Sequence, residues 1–176
     1  MSIDILPWYN IYRKLPSDDS WEKIANTTKL SYIDKSVSNG KTYKYAVRAR
    51  NSAGLGAYDH ATLSILCLRA PALKAINSGA DFVKIEWGKV KGAQGYIIYR
   101  KANSETKWTN IAKVTGADTL TYKDKTVENK GTYTYTVRAY STKPTVYGGY
   151  NGTGISITFL TSPKLVGATA DADGII

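Results

Sequence analysis

The chain has 176 residues, with 24 Lys and Arg against 14 Asp and Glu, and one Cys, one His and one Met. A hydrophobic share of 43% and a mean hydropathy of -0.31 exclude a disordered chain, and no apolar run approaches the ~20 residues of a membrane-spanning helix. One cysteine closes no internal disulfide, one histidine builds no histidine-based metal site, and Met1–Trp8 has neither the basic nor the apolar region of a signal peptide.

Taken in chain order, the predicted elements are short strands of period two. Tyr9–Lys14 is the first, and a second begins at Trp21. Thr42–Ala49 and Ser64–Leu68 follow, separated by Gly, Asn, Asp and Ser. The pattern then recurs. Ile11-Tyr-Arg-Lys14 returns as Ile98-Tyr-Arg-Lys101, 87 residues on, and Trp21-Glu-Lys-Ile-Ala25 as Trp108-Thr-Asn-Ile-Ala112 at the same spacing. Tyr32–Val37 returns as Tyr122–Val127 and Thr42–Ala49 as Thr132–Ala139, both 90 apart, and Ser64–Pro71 as Ser156–Pro163 at 92. The drift places two small insertions in turn-like stretches, where repeats diverge in length. A period near 90 residues is that of a domain with its own core rather than of a solenoid unit. With no segment of helical spacing, the class is all-β, in tandem sandwiches.

The ordered landmarks of 70–160 resemble the fibronectin type III family, especially repeats of bacterial surface and secreted proteins. Pro71-Ala-Leu73 is similar to the opening strand A, and Phe82–Trp87 to strand B with its core tryptophan. Gly95–Lys101 is similar to strand C, with Tyr96 and Ile98 inward. Gly131–Ala139 is similar to strand F with Tyr133 in the tyrosine-corner position, and Ile155, Ile157 and Phe159 to strand G. The resemblance implies immunoglobulin-like seven-stranded sandwiches used as spacers or binding modules and seldom as catalysts. It also implies an extracellular or cell-surface setting.

The first copy is out of phase with that pattern. Its strand C starts at Tyr9, so strands A and B are missing, and 161–176 matches a third strand A with the first residues of a third B. The expected organisation is therefore 1–68 as a repeat lacking A and B, 69–160 as a complete repeat, and 161–176 as the start of a third or as a donated strand. One sheet of the first copy would be reduced largely to strand E. The inward faces of Tyr9, Ile11, Tyr43, Tyr45 and Val47 would then meet solvent, at ~1.5–3 kcal/mol for each large apolar side chain left unburied. Three outcomes stay open: disorder of this copy, partial cover by Met1–Trp8, or completion by the tail of another molecule, through Pro163, Leu165, Ile175 and Ile176. The last would give a head-to-tail homo-oligomer.

Chemistry-bearing residues are few, and no catalytic residue, metal or cofactor is expected. His60 matches Gly152 in the other copy and reads as a solvated loop residue. Cys67 stands where the second copy has Phe159 and reads as a small buried hydrophobe. Asp171-Ala-Asp-Gly174 is half of a calcium loop without its remaining ligands and reads as a turn. Tyr12 and Tyr99 fall on the outward phase of strand C, next to Arg13 and Arg100, with Trp21 and Trp108 starting the neighbouring strand. This gives a candidate ligand or interface face of Tyr99, Arg100, Trp108, Tyr12 and Trp21, for a sugar ring or an adjoining module; ordinary cross-strand packing is the alternative. Tyr147 and Tyr150 lie in a glycine-containing loop before strand G.

The charge is uneven. Residues 1–68 carry nine basic and six acidic side chains, 69–160 fourteen and six, and the tail one and two. The basic second copy would attract polyanions in a salt-dependent way, anionic cell-wall polymer being the partner the resemblance implies; no nucleic-acid recognition motif accompanies it. The expected function is a non-catalytic spacer or adhesion stalk of neighbouring repeats in a secreted or surface protein. The alternatives are a carbohydrate or cell-wall binding accessory module of a secreted hydrolase, and a subunit self-assembling through its tail.

Overall fold

Residues 8–58, 63–164, 167, 170–171 and 174–175 are described by the computed structural model, and among them all regular structure is strand. The Tyr-, Ile- and Val-rich run β1 (Trp8–Lys14) sits at the centre of the first sheet. It pairs antiparallel with β2 (Glu22–Thr27) and with β3 (Thr42–Asn51). Two short strands, β4 (Gly54–Leu55) and β5 (Leu63–Leu66), then pair with successive parts of β3.

The second repeat builds the same sheet from β8 (Gly95–Ala102), β9 (Thr109–Thr115), β11 (Thr132–Thr142), β12 (Thr145–Tyr147) and β13 (Ile155–Thr158). Even the irregularity is copied: the register shift between Ile11 and Tyr12 recurs between Ile98 and Tyr99. The second repeat adds an opposing sheet, β6 (Leu73–Ser78), β7 (Val83–Trp87) and β10 (Thr121–Asp124), with β7 in the middle. Alternation sends Val83, Ile85 and Trp87 inward from β7 to meet Tyr96, Ile98, Tyr135 and Val137, all of them at most 1% exposed. This is an immunoglobulin-like, two-sheet β-sandwich. Trp87, Tyr96, Ile98 and Phe159 lie in its core. Tyr133 closes the corner, its hydroxyl accepting the Glu128 amide at 3.0 Å; Tyr43 does the same for Ser38 at 2.9 Å.

Three expectations need correction. First, strand E, expected to be most of what is left of the first copy's second sheet, does not form: the run 32–37 that matches Tyr122–Val127 is not a strand. Its counterpart β10 has its ladder with β7, and the first repeat has no equivalent of β7 among the described residues. A strand without a neighbour has no partner for its amides and carbonyls. Second, the inner face of the first repeat is not uniformly solvated. Ile11 and Tyr43 are buried and Tyr9 and Tyr45 half-buried, while Val47 stays 43% exposed. Third, Cys67 is half-buried and lines an open groove, because among the described residues no second sheet closes over it as one does over Phe159.

Beyond Pro163 and Lys164, which are exposed, β14 (Ala170–Asp171) and β15 (Gly174–Ile175) form a two-stranded sheet of their own. Ala170 faces Ile175, and 92 residues earlier Ser78 faces Val83. The tail thus opens a second such hairpin in the register of β6–β7, with Asp171 and Gly174 at its turn. Met1 to Pro7, His60, Leu165 and Ile176 lie outside the described residues.

Candidate functional site

Strand alternation puts Tyr12 and Tyr99 on the sheet face turned away from the core, as their phase requires. The structure brings each to its tryptophan through a third ring that sequence spacing does not single out. In the first repeat Tyr58 lies 5.2 Å from Tyr12, edge to face, and stacks at 6.1 Å and 24° on Trp21. In the second, Tyr150, the residue 92 positions further on, stacks on Tyr99 at 6.3 Å and meets Trp108 edge-on at 6.5 Å. Cations complete both clusters: Lys14 Nζ sits 5.3 Å over Trp21 and Lys101 Nζ 5.0 Å over Trp108, with the Arg48 guanidinium 4.5 Å over Tyr58. These rings occupy one another. Tyr12 is buried beneath Tyr58, and the open aromatic surface of the second cluster is Tyr150, 46% exposed; Tyr147, at the end of β12, lines the groove of the first repeat instead.

Arg13 and Arg100 do not share that face, contrary to the expected outward position. At the end of its strand Arg100 keeps the inward phase of Tyr96 and Ile98 and reaches the opposite sheet. Its Nη1 donates to Asp124 Oδ2 at 2.7 Å, and its guanidinium lies 4.8 Å over Tyr133. The Tyr135 hydroxyl donates to the same oxygen at 2.9 Å, and the Thr126 amide and hydroxyl donate to Oδ1 at 2.9 and 2.7 Å. The first repeat holds the same clasp. Arg13 and Tyr45 donate to Asp34 Oδ2, each at 2.9 Å, and the Ser36 amide and hydroxyl to Oδ1 at 2.9 and 2.7 Å.

Burial pushes the Asp124 carboxyl up, but the Thr126 donors, Tyr135 and Arg100 outweigh it and hold the group below the ordinary carboxylate value. Asp34 is held low for the same reasons. Burial first, then donation to the carboxylate, raises the Tyr135 and Tyr45 hydroxyls well above the ordinary tyrosine range. Both carboxylate oxygens of each clasp accept hydrogen bonds, and the clasp fastens the segment that carries the aspartate to the facing sheet. The pattern Asp-x-Ser or Asp-x-Thr, shared at the 90-residue offset, was the legible trace of it.

The two repeats meet through a packed junction. Leu66 and Leu68, at the end of the first repeat, are 9% and 6% exposed and belong to the apolar cluster of the second, with Val90 and Ala93. A Cβ on Gly92 would touch Leu66 and Gly40 at 3.3 Å, and one on Gly148 would meet the Leu68 carbonyl at 2.7 Å. Gly40, at φ 75°, lies against Lys91, where a Cβ would come within 2.9 Å of the Lys91 carbonyl oxygen. The Gly149 amide donates to the Leu68 carbonyl at 3.2 Å. Absent side chains at three glycines let two backbones approach.

Among the described residues no group of three or more His, Cys, Asp or Glu is placed to hold a metal ion, and no helix is long and apolar enough to cross a membrane. The class defined by this fold and junction is a tandem all-β module, in which a repeat with one described sheet is joined to a complete immunoglobulin-like sandwich. No family model matches the chain, and no curated protein matches it. Among solved structures, the FN1–FN3 domains of chicken CNTN1 are similar at 18% identity and a TM-score of 0.45, over 89% of this chain and 55% of that one.

Proposed function

We propose that the chain is a non-catalytic segment of a repeat array, a spacer or adhesion stalk in a secreted or cell-surface bacterial protein. The observation that carries this reading is the junction. A flexible string of beads needs an exposed linker, whereas here Leu66 and Leu68 are buried between the repeats and glycines admit the close approach. A stalk that projects another domain at a set angle needs such a joint. The tail hairpin, in the register of β6–β7, repeats the same element and supports the reading as a repeat array. Spin labels on the exposed Lys35 and Lys123 would test it by pulsed electron resonance. One narrow distance distribution is expected, and a broad one spanning many orientations would overturn the rigid-stalk reading.

A second reading, a carbohydrate or cell-wall binding accessory module, is favoured by one feature. Tyr150 offers an open ring beside Lys101 and Trp108, in the repeat that carries most of the positive charge. Retention on insoluble polysaccharide or wall preparations that Tyr150→Ala abolishes would support it. Absence of retention of the unaltered protein on all of them would sink it.

A further inference from the structure

We propose that the open inner face of the first repeat is an acceptor site for a two-stranded β-hairpin carrying the apolar alternation of β6–β7. The second repeat is the template, because it shows the same face with its cover in place. Tyr96, Ile98, Tyr135 and Val137 are wholly buried there beneath Val83, Ile85 and Trp87. Their counterparts Tyr9, Ile11, Tyr45 and Val47 line a groove of about 600 Å³ together with Tyr32 and Ile65. Val47 and Ile65 are 43% and 49% exposed.

The groove is matched to a hairpin in a second way, through the backbone. Thr121–Asp124 give their ladder to Val83–Glu86. The aligned residues 31–34 form no strand and have no backbone ladder among the described residues, which leaves their edge to a new neighbour. The Arg13–Asp34–Tyr45 clasp already fastens the end of that segment over the sheet, so the acceptor is partly organised before anything binds.

The occupant is the β6–β7 hairpin of a like repeat. Leu73 and Ile76 on its first strand, and Val83, Ile85 and Trp87 on its second, supply the side chains the groove lacks. The tail hairpin has the right register but reaches only the positions that correspond to Val83 and Lys84. It lacks the equivalents of Ile85 and Trp87.

The test adds a synthetic peptide of residues 70–88 to the full 176-residue chain. Binding is followed by calorimetry, and its location by amide hydrogen exchange. Saturation at one peptide per chain is expected, with new protection at residues 31–34. A peptide with Ser at the positions of Val83, Ile85 and Trp87 should bind at least about tenfold more weakly. Val47→Asp and Ile65→Asp in the chain should weaken the matched peptide similarly; both sites already face solvent, so these variants keep their fold. A dimer of the chain that the matched peptide dissociates would also support the site, with a second copy's tail as its weaker occupant. No binding, equal binding of the Ser-substituted peptide, or binding indifferent to Val47→Asp and Ile65→Asp would overturn the proposal.

Discussion

The Tyr135 hydroxyl donates to the Asp124 carboxylate across the interior of the second repeat at 2.9 Å, and both side chains are buried. The same bond, Tyr45 to Asp34 at the same length, stands in the first repeat, where the sheet that should carry Asp34 is not assembled. One clasp therefore works in two settings, as part of a closed core and as the tether of a lone segment.

That difference in setting gives opposite consequences for one substitution. Asp124→Ala leaves the Arg100 guanidinium without its carboxylate in a closed core, and should lower the stability of the second repeat by about 3–5 kcal/mol. Asp34→Ala should instead release 31–38 locally. Denaturant titration reads the first, and hydrogen exchange confined to that segment reads the second. Equal global losses would contradict this division.

The clasp also sets a pH window. Asp124 and Asp34 are held below the ordinary carboxylate pKa, so the unfolded state takes up their protons first on acidification. Their contribution is complete above pH ~3.9 and is lost as pH falls below it toward the folded-state value. Tyr135 and Tyr45 are raised, so their contribution is complete below pH ~10 and is lost as pH climbs above it. Melting temperature against pH should show a plateau between these limits. Tyr135→Phe should shrink the alkaline decline, and an unchanged alkaline slope would remove Tyr135 as its cause.

At the junction, Gly148→Ala is a clean probe, since its φ is not left-handed and the obstacle is the Leu68 backbone. A new Cβ only 2.7 Å from the Leu68 carbonyl must push the repeats apart. Small-angle scattering should record a changed envelope while Trp87 fluorescence, reporting the second core, stays as it was. An unaltered envelope would show that the joint yields elsewhere.

Equivalent turns carry Gly40 at φ 75° and Lys130 at φ 64°. Lys130 is the positive-φ residue other than glycine among the described residues, and a Cβ in that region costs roughly 1–2 kcal/mol, partly offset by the entropy glycine adds to the unfolded chain. Lys130→Gly should therefore raise the melting temperature of the second repeat by a few degrees. Gly40→Lys should lower stability and disturb the junction, because Lys91 fills the space. A fall in melting temperature on Lys130→Gly would count against this account.

The sequence by itself determined the repeat, the strands of the C-F-G type sheets and the inward set around Trp87, Tyr96 and Tyr135. A period of two and a recurrence at 87–92 residues are local or self-referential signals, legible without a partner. It also placed Tyr12 and Tyr99 outward, since parity along a strand decides that. At Arg13 and Arg100 identity misled and parity did not: a charged residue suggested solvent, while the phase pointed inward to the carboxylates of Asp34 and Asp124. Only the tertiary structure decided the rest. Strand E of the first repeat needed a neighbour that the repeat does not present among the described residues, and a ladder is a property of two strands. Tyr58 and Tyr150 joined their clusters from loops, whose course follows from the whole fold. Gly40, Gly92 and Gly148 acquired meaning only when two backbones were seen to touch, for what a glycine permits is invisible until something occupies the space a side chain would have filled.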